Sequence, residues 1–309
     1  MTLYKHTCYC FTALLLSACV SQGGNYHRIA DGESFPADKT MVSDDQPANE
    51  GTLKILSLNI AHGRNQSINQ LLLTEEAIKR NIINIARVLR TVDADVVALQ
   101  EADGPSSWSG NFDHIERLAR EAGYPWYYRA NHAESWLFSY GTAILSRMPV
   151  NEIMQYTFEP SPPTFNKGFL LGTVKWTTDN EYGAKVAIDI ASVHLDFSRH
   201  SVREKQIAEL SAVLSSRENP LIIAGDFNSN WFAQESTVRR LAENAGMSAY
   251  KPLVPGLQTY QSRHRYDWIL ISSELAFVSY RVLPDLISDH QAVVAEISLK
   301  TPANAKTED

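Results

Sequence analysis

The sequence predicts an α/β domain of the α+β kind, from two features of its apolar pattern. Short apolar runs rich in β-branched residues alternate with segments of helical periodicity. Most of the runs are nearly continuous, which marks strands covered on both faces. The chain has 309 residues, 44% hydrophobic and 20% charged, enough for one large core or two small ones. Length alone does not choose between them.

Strands are expected at 53–60, 96–99, 140–146, 169–176, 186–193, 221–224, 267–271 and 292–297. A helix fits 75–90, where Ile78, Ile82, Ile85, Ala86 and Leu89 share one face. A second fits 113–122, with Gly123 as its C-cap. Two more fit 202–215 and 235–245, the latter ending at Gly246. Residues 179–183 are expected to form a hairpin turn between two of the strands.

The ends read differently. Lys5 is a positive start, 11–18 is a short apolar stretch, and Leu16-Ser17-Ala18 brings small residues up to Cys19. This layout resembles the lipobox of bacterial lipoproteins, in which the signal is cut before the Cys and the lipid is added there. Residues 20–51 are mostly polar or small and cannot bury enough surface to offset chain entropy. The expected organisation is a signal peptide at 1–18, a lipidated Cys19 with a flexible tether over 19–51, a domain at 52–300, and a frayed tail at 301–309. The location implied is the bacterial cell envelope, with membrane contact only through Cys19.

Of the three cysteines, Cys8 and Cys10 leave with the signal, so the mature domain has neither a disulfide nor a Cys-based zinc site. Losing Lys5 as well leaves 27 basic against 35 acidic residues, a net charge of −8. A protein of that charge has no general attraction for polyanions.

Nearly every apolar strand ends in a polar residue with chemistry. Asn59 ends the first, Glu101 follows the second, and His194 ends Val193-His194-Leu195. Asp226 and Asn228 lie in Gly225-Asp226-Phe227-Asn228, Asp267 starts its strand, and Asp289-His290 follow Ser288. Strand ends converge on one rim in layered folds, so these groups can form one site. Oxygen donors without thiolates suit a hard cation such as Mg²⁺ or Mn²⁺. Two histidines add acid/base capacity. Taken singly, each Asn or Asp would read as a turn former or helix cap, and each His as a structural one.

Together, Leu56-Ser57-Leu58-Asn59, Leu99-Gln100-Glu101, the run from Tyr140 to Arg147, Val193-His194-Leu195, Gly225-Asp226-Phe227-Asn228, Tyr266-Asp267 and Ser288-Asp289-His290 resemble the ordered motifs of the endonuclease/exonuclease/phosphatase superfamily. That resemblance implies a four-layer α/β/β/α sandwich, two mixed sheets face to face with helices outside. It implies metal-dependent hydrolysis of a phosphoester, as phosphodiesterase or phosphatase. By the same carry-over Glu101 holds the metal with Asn59 and Asp289 near it. Asp226 orients or deprotonates the attacking water, and Asn228 stabilises the transition state. His290, oriented by Asp267, is general base or phosphate ligand, and His194 contacts a phosphoryl oxygen.

One departure stands out. Deoxyribonuclease I-like nucleases carry a carboxylate on the strand matching 140–146 that supports the first catalytic His, and this strand offers no acid. Small or lipid-like phosphoesters are therefore the expected substrates, with a secreted nuclease and a non-catalytic binding lipoprotein as the alternatives. No protein partner is implied, and a monomer is expected. Arg263, His264 and Arg265 either steer phosphate or form a solvated basic turn. Arg147, Arg199, Arg203 and Lys205 read as surface or strut residues, and 131–140 and 156–168 are expected to rim the pocket.

Overall fold

The computed structural model describes residues 26–28, 51–178 and 185–300. In chain order the first half contains β1 (Tyr26–Arg28), β2 (Leu53–Asn59), α1 (Glu75–Val92), β3 (Val96–Asp103), α2 (His114–Ala122), β4 (Trp126–Glu134), β5 (Ser139–Ser146) and β6 (Val150–Thr157). The second half contains β7 (Gly168–Thr177), β8 (Lys185–His194), α3 (His200–Leu214), β9 (Leu221–Asp226), α4 (Thr237–Asn244), β10 (Ser248–Ala249), β11 (Asp267–Ile271), β12 (Leu275–Val282) and β13 (Val293–Leu299). The strands form two mixed sheets, ordered β1-β6-β7-β8-β9-β11-β10 and β12-β13-β2-β3-β5-β4. Parallel pairing occurs at β8/β9 in the first and β2/β3 in the second.

Neighbouring residues of one strand serve different cores, which is why the runs are continuously apolar. Ile55, Val96, Leu170, Ile222 and Ile269 point between the sheets. Leu56 and Val97 point outward against Ile82, Ile85 and Leu89 of α1 and Leu118 of α2. Leu171, Ile223 and Leu270 point the other way, against Ile207 and Leu210 of α3 and Leu241 of α4. The result is the expected four layers. Helix ends follow their caps: the Asp113 carboxylate accepts from Ile115 N and Glu116 N, and Gly123 closes α2 at φ +78°.

Four strands between 126 and 282 escape the apolar pattern, namely β4, β6, β10 and β12. Bulges at 131/133, 151/154 and 277/279 break the two-residue alternation of three of them, and β10 has only two residues. One further difference falls in the expected tether, where the backbone of β1 pairs with Met154, Gln155 and Tyr156 of β6. The unpaired amides and carbonyls of an edge strand accept such an addition whatever its side chains. The signal peptide, Cys19, the turn at 179–183 and the tail lie outside the described residues. Among those described, no helix is long and apolar enough to cross a membrane.

Register decides where the polar strand ends meet. Gly168, His194, Asp226 and Asp267 pair successively across β7, β8, β9 and β11, forming one row. Gly225 keeps β8 and β9 in this register, because a Cβ there would lie 1.9 Å from the Val193 carbonyl oxygen. Gly225→Ala is accordingly expected to lower unfolding free energy by about 1–3 kcal/mol through overpacking. The check is a reduced urea midpoint at unchanged slope.

Candidate active site

The second sheet supplies Glu101 through a bulge between Gln100 and Ala102, with Glu101 itself at φ +51°. The extra residue turns its side chain out of the strand alternation toward the rim. Its Oε2 lies 3.1 Å from His62 Nε2 and 3.7 Å from Arg64 Nη1, and its Oε1 lies 4.0 Å from His194 Nε2. Burial opposes the charge, but cationic neighbours, His62 and Lys167 foremost, with Arg64, outweigh it and hold the carboxyl well below the usual range.

His62 stands in the turn Ala61–Gly63 after β2, at φ +52°. Asp103 Oδ1 meets its Nδ1 at 2.7 Å. Burial disfavours the imidazolium, yet Asp103 and Glu101 leave its pKa raised. Arg64 bridges from Glu101 to Asp289 Oδ2, 2.5 Å from its Nη2. Asn59 crosses between the sheets: its Oδ1 accepts from Ala61 N at 2.9 Å, and its Nδ2 donates to Asp226 Oδ2 at 3.1 Å.

The first sheet supplies the opposite wall. Asp226 Oδ1 accepts from Asn228 N at 2.9 Å, while Asn228, at φ +48°, donates one Nδ2 hydrogen to Leu195 O at 3.1 Å. Burial pushes the Asp226 carboxyl up to about 7, with His290 opposing and Asp267 adding to the rise. His290 Nδ1 lies 2.8 Å from Asp267 Oδ2, and its Nε2 lies 3.8 Å from Asp226 Oδ2. Burial works against the His290 charge, but Asp267 and Asp226 raise it to about 10, so the ring is cationic at neutral pH. His194 Nε2 is 3.6 Å from Asp226 Oδ2, and Lys167 Nζ is 3.3 Å from His194 Nδ1. Burial, then Lys167, hold the His194 pKa well below its ordinary value.

All eight residues singled out from the sequence are thus brought together in one cluster. Four others that share it were missed: His62, Arg64, Asp103 and Lys167. His62 and Arg64 follow Asn59 within five positions, and a charged pair that close to a candidate site residue was the available signal. Lys167 announced itself only as a cation at the mouth of an apolar strand. Other basic residues are struts. The Arg265 guanidinium stacks 3.9 Å from the Trp268 ring and donates to Tyr250 O. His264 stacks on Tyr266 and meets Asn230 Nδ2 at 3.1 Å. Arg199 donates to Pro162 O and Arg203 to Asp196 O. They tie down the 156–168 loop and the start of α3. Arg147 pairs with Asp93.

A cation fits this donor set. Ligand atoms of Asp226 and Asp267 lie within 4.8 Å of one another and of the His290 ring, which as a cation would not itself be a ligand. Asp267 Oδ1 is buried with no hydrogen-bond partner, and the Asp226 carboxyl is driven toward its neutral form by burial and a neighbouring acid. A divalent ion relieves both conditions. Only Asp226 and Asp267 of this trio are acids, and neither belongs to the expected ligand set of Asn59, Glu101 and Asp289. In that set Asp289 is engaged by Arg64, and Asn59 by Ala61 and Asp226.

A sequence profile of the endonuclease/exonuclease/phosphatase family matches residues 56–290. The chain belongs to that family. Members of this superfamily are phosphoester hydrolases, and solved structures share the fold. An endonuclease/exonuclease/phosphatase from Beutenbergia cavernae is 20% identical with TM-score 0.62, covering 81% of this chain and 72% of that one. The human Nocturnin catalytic domain with bound sulfate is 19% identical with TM-score 0.58, covering 81% and 94%. A Bacteroides thetaiotaomicron mannosyl-6-phosphatase is 16% identical with TM-score 0.56, covering 80% and 100%. Comparison with curated proteins found no match.

The charge pattern of this family member predicts its pH dependence. Folding raises His290 from 6.5 to about 10, so its contribution is fully present below pH 6.5 and is lost as pH rises through about 10. Folding also raises Asp226 from 3.8 to about 7, so holding that proton favours the fold at low pH and the advantage is gone above about 7. In EDTA, stability is expected to fall between pH 7 and 10, by at most about 1.4 kcal/mol per pH unit for one proton. Asp267→Asn removes the main support of the His290 charge and should flatten that fall. Denaturant midpoints of both proteins across this range provide the measurement.

Proposed function

We propose that this protein hydrolyses phosphoester bonds by attack of water on phosphorus, with Mg²⁺ or Mn²⁺, at an extracytoplasmic location. The observation that carries the reading is the pairing of Glu101 on one wall with Asp226, Asn228, His194 and the Asp267–His290 pair on the other. Glu101, with Asn59 and Asp289 beside it, would hold the divalent ion. The ion, when bound, supplies charge neutralisation on the phosphoryl and leaving oxygens.

The chain's own residues supply the rest. Asp226, whose Oδ2 faces Nε2 of both His194 and His290, would orient or deprotonate the attacking water. His290, already protonated, is a donor to the phosphoryl group rather than a base. Asn228 retains a second Nδ2 hydrogen for the same purpose, and negative charge growing on the phosphoryl oxygens strengthens all such bonds. Small or lipid-like phosphoesters are the favoured substrates, supported by the net charge of −8 left when Lys5 is removed with the signal and by the missing acid on β5. The deciding experiment assays plasmid DNA, RNA, sphingomyelin, inositol phosphates and aryl phosphates, with Mg²⁺ and with EDTA. Hydrolysis of DNA alone would replace this reading with a nuclease, and hydrolysis of nothing would leave a binding protein.

On the substrate so found, Asp226→Ala and Asn228→Ala should each lower turnover by about 100-fold or more, since such groups are worth roughly 2.7–4 kcal/mol. Glu101→Ala should recover part of its activity at high Mg²⁺ or Mn²⁺, and double variants should be far from additive. Near-normal rates in folded Asp226→Ala and His290→Ala, with circular dichroism as control, exclude this site.

The membrane anchor belongs to the same proposal. Cys19→Ala should leave uncleaved precursor or release soluble protein, read by lipid labelling and cell fractionation. Unchanged labelling and fractionation would remove the anchor from the proposal.

A further inference from the structure

Lys167 is buried at 7% exposure, and its hydrogen bond goes to an imidazole instead of an acid. Burial lowers the Lys167 pKa from its ordinary value, and Glu101, Asp226 and Asp196 act across space in the opposite direction to favour the ammonium. The Asp196 carboxylate is engaged elsewhere, by Thr164 Oγ1, Ser198 N and Arg199 N. The position of Lys167 is fixed by its backbone. Its carbonyl accepts from Phe158 N at 3.0 Å, and the next residue, Gly168, pairs with His194 of β8 on one side and packs so closely on β6 on the other that a Cβ there would lie 2.2 Å from Tyr156 O. Lys167 Nζ also lies 5.8 Å from the centre of the Tyr140 ring.

An ammonium has three hydrogens to donate and no lone pair. His194 Nδ1, 3.3 Å away, must then be the accepting nitrogen, which leaves the single ring proton on Nε2. That nitrogen is the one facing Glu101 and Asp226. A carboxylate behind the ring would do the reverse, accepting from Nδ1–H and favouring the imidazolium. On β5, where an acid would stand, Thr142 is committed to His132, and a Cβ at Gly141 would lie 1.9 Å from Ala130 O.

We propose that Lys167 is a positioning residue: it holds His194 as the neutral Nε2–H tautomer, making His194 a fixed hydrogen-bond donor to the phosphoryl group and not a proton donor. The tautomer follows from the geometry alone, and the phosphoryl role rests on the function proposed above. An imidazole so held stabilises charge on a phosphoryl oxygen without protonating the departing ester oxygen.

The test is long-range proton–nitrogen correlation NMR on full-length protein labelled with ¹⁵N-histidine, at pH 7, in EDTA and with Mg²⁺. His194→Gln identifies the signals. Wild type should show His194 neutral with its proton on Nε2, and a proton on Nδ1, or on both nitrogens, overturns the proposal. Lys167→Met, close in volume, should mix the tautomers and lower kcat by about 10- to 100-fold with a smaller change in KM. Lys167→Arg should keep the Nε2–H form. A Lys167→Met protein with one unchanged tautomer and unchanged kcat also overturns it. If that variant does not fold, the wild-type and Lys167→Arg spectra decide. The spectra need no substrate, so a failed substrate search would count against the hydrolase reading and leave the tautomer assignment standing.

Discussion

The site depends on strand register. His194, Asp226 and Asp267 meet because β8, β9 and β11 pair with those residues in a single row, and Gly168 extends the row to the loop carrying Lys167. A slip of one residue would turn each of these side chains to the opposite face. Two contacts resist such a slip. The bare Cα of Gly225 lets β8 and β9 approach, and Gln100 Nε2 donates across the sandwich to Ser192 Oγ at 3.1 Å. The second of these also locks the two sheets together below the site.

Within that frame the charges are paired by a repeated arrangement. Asp267, His290 and Asp226 form a carboxylate–imidazole–carboxylate series, its acids on β11 and β9 of the first sheet and its imidazole in the loop before β13 of the second. Asp103, His62 and Glu101 form another in the second. In each the inner acid orients the ring, and the ring faces the outer acid at the site. Burial opposes the charges of His62, Glu101 and His290, and opposite charges within a few ångströms outweigh it, whereas burial drives Asp226 toward its neutral form. His194 lacks an inner acid and has Lys167 in its place, and its pKa alone of the three is held below the ordinary imidazole value.

Local backbone conformation aims the outer groups. Glu101, His62 and Asn228 all adopt positive φ without being glycine, at a cost of order 1–3 kcal/mol each. The surrounding hydrogen bonds hold them there, including Asn228 N to Asp226 Oδ1 and His62 to Asp103. The rim is likewise tied: Arg199 and Asp196 bind the 156–168 loop through Ser161, Pro162 and Thr164. These devices leave little slack in the site.

The strands and helices that carry the cores were legible because burial on both faces demands continuous apolar runs, and the helices needed one apolar face each. The eight site residues were legible because most stand at strand ends, which must converge on a rim, and because together they resemble the ordered motifs of the family. Bulged or two-residue strands were not, since a bulge or a strand that short erases the alternation that marks a strand in a sequence. Nor were His62, Arg64, Asp103 and Lys167, which look like ordinary loop or strand residues until the sheets stack and bring them against Glu101 and His194. Residue types and their order were set by the sequence alone. Protonation state and tautomer were decided by the tertiary structure, because they depend on desolvation and on charges brought near from distant parts of the chain.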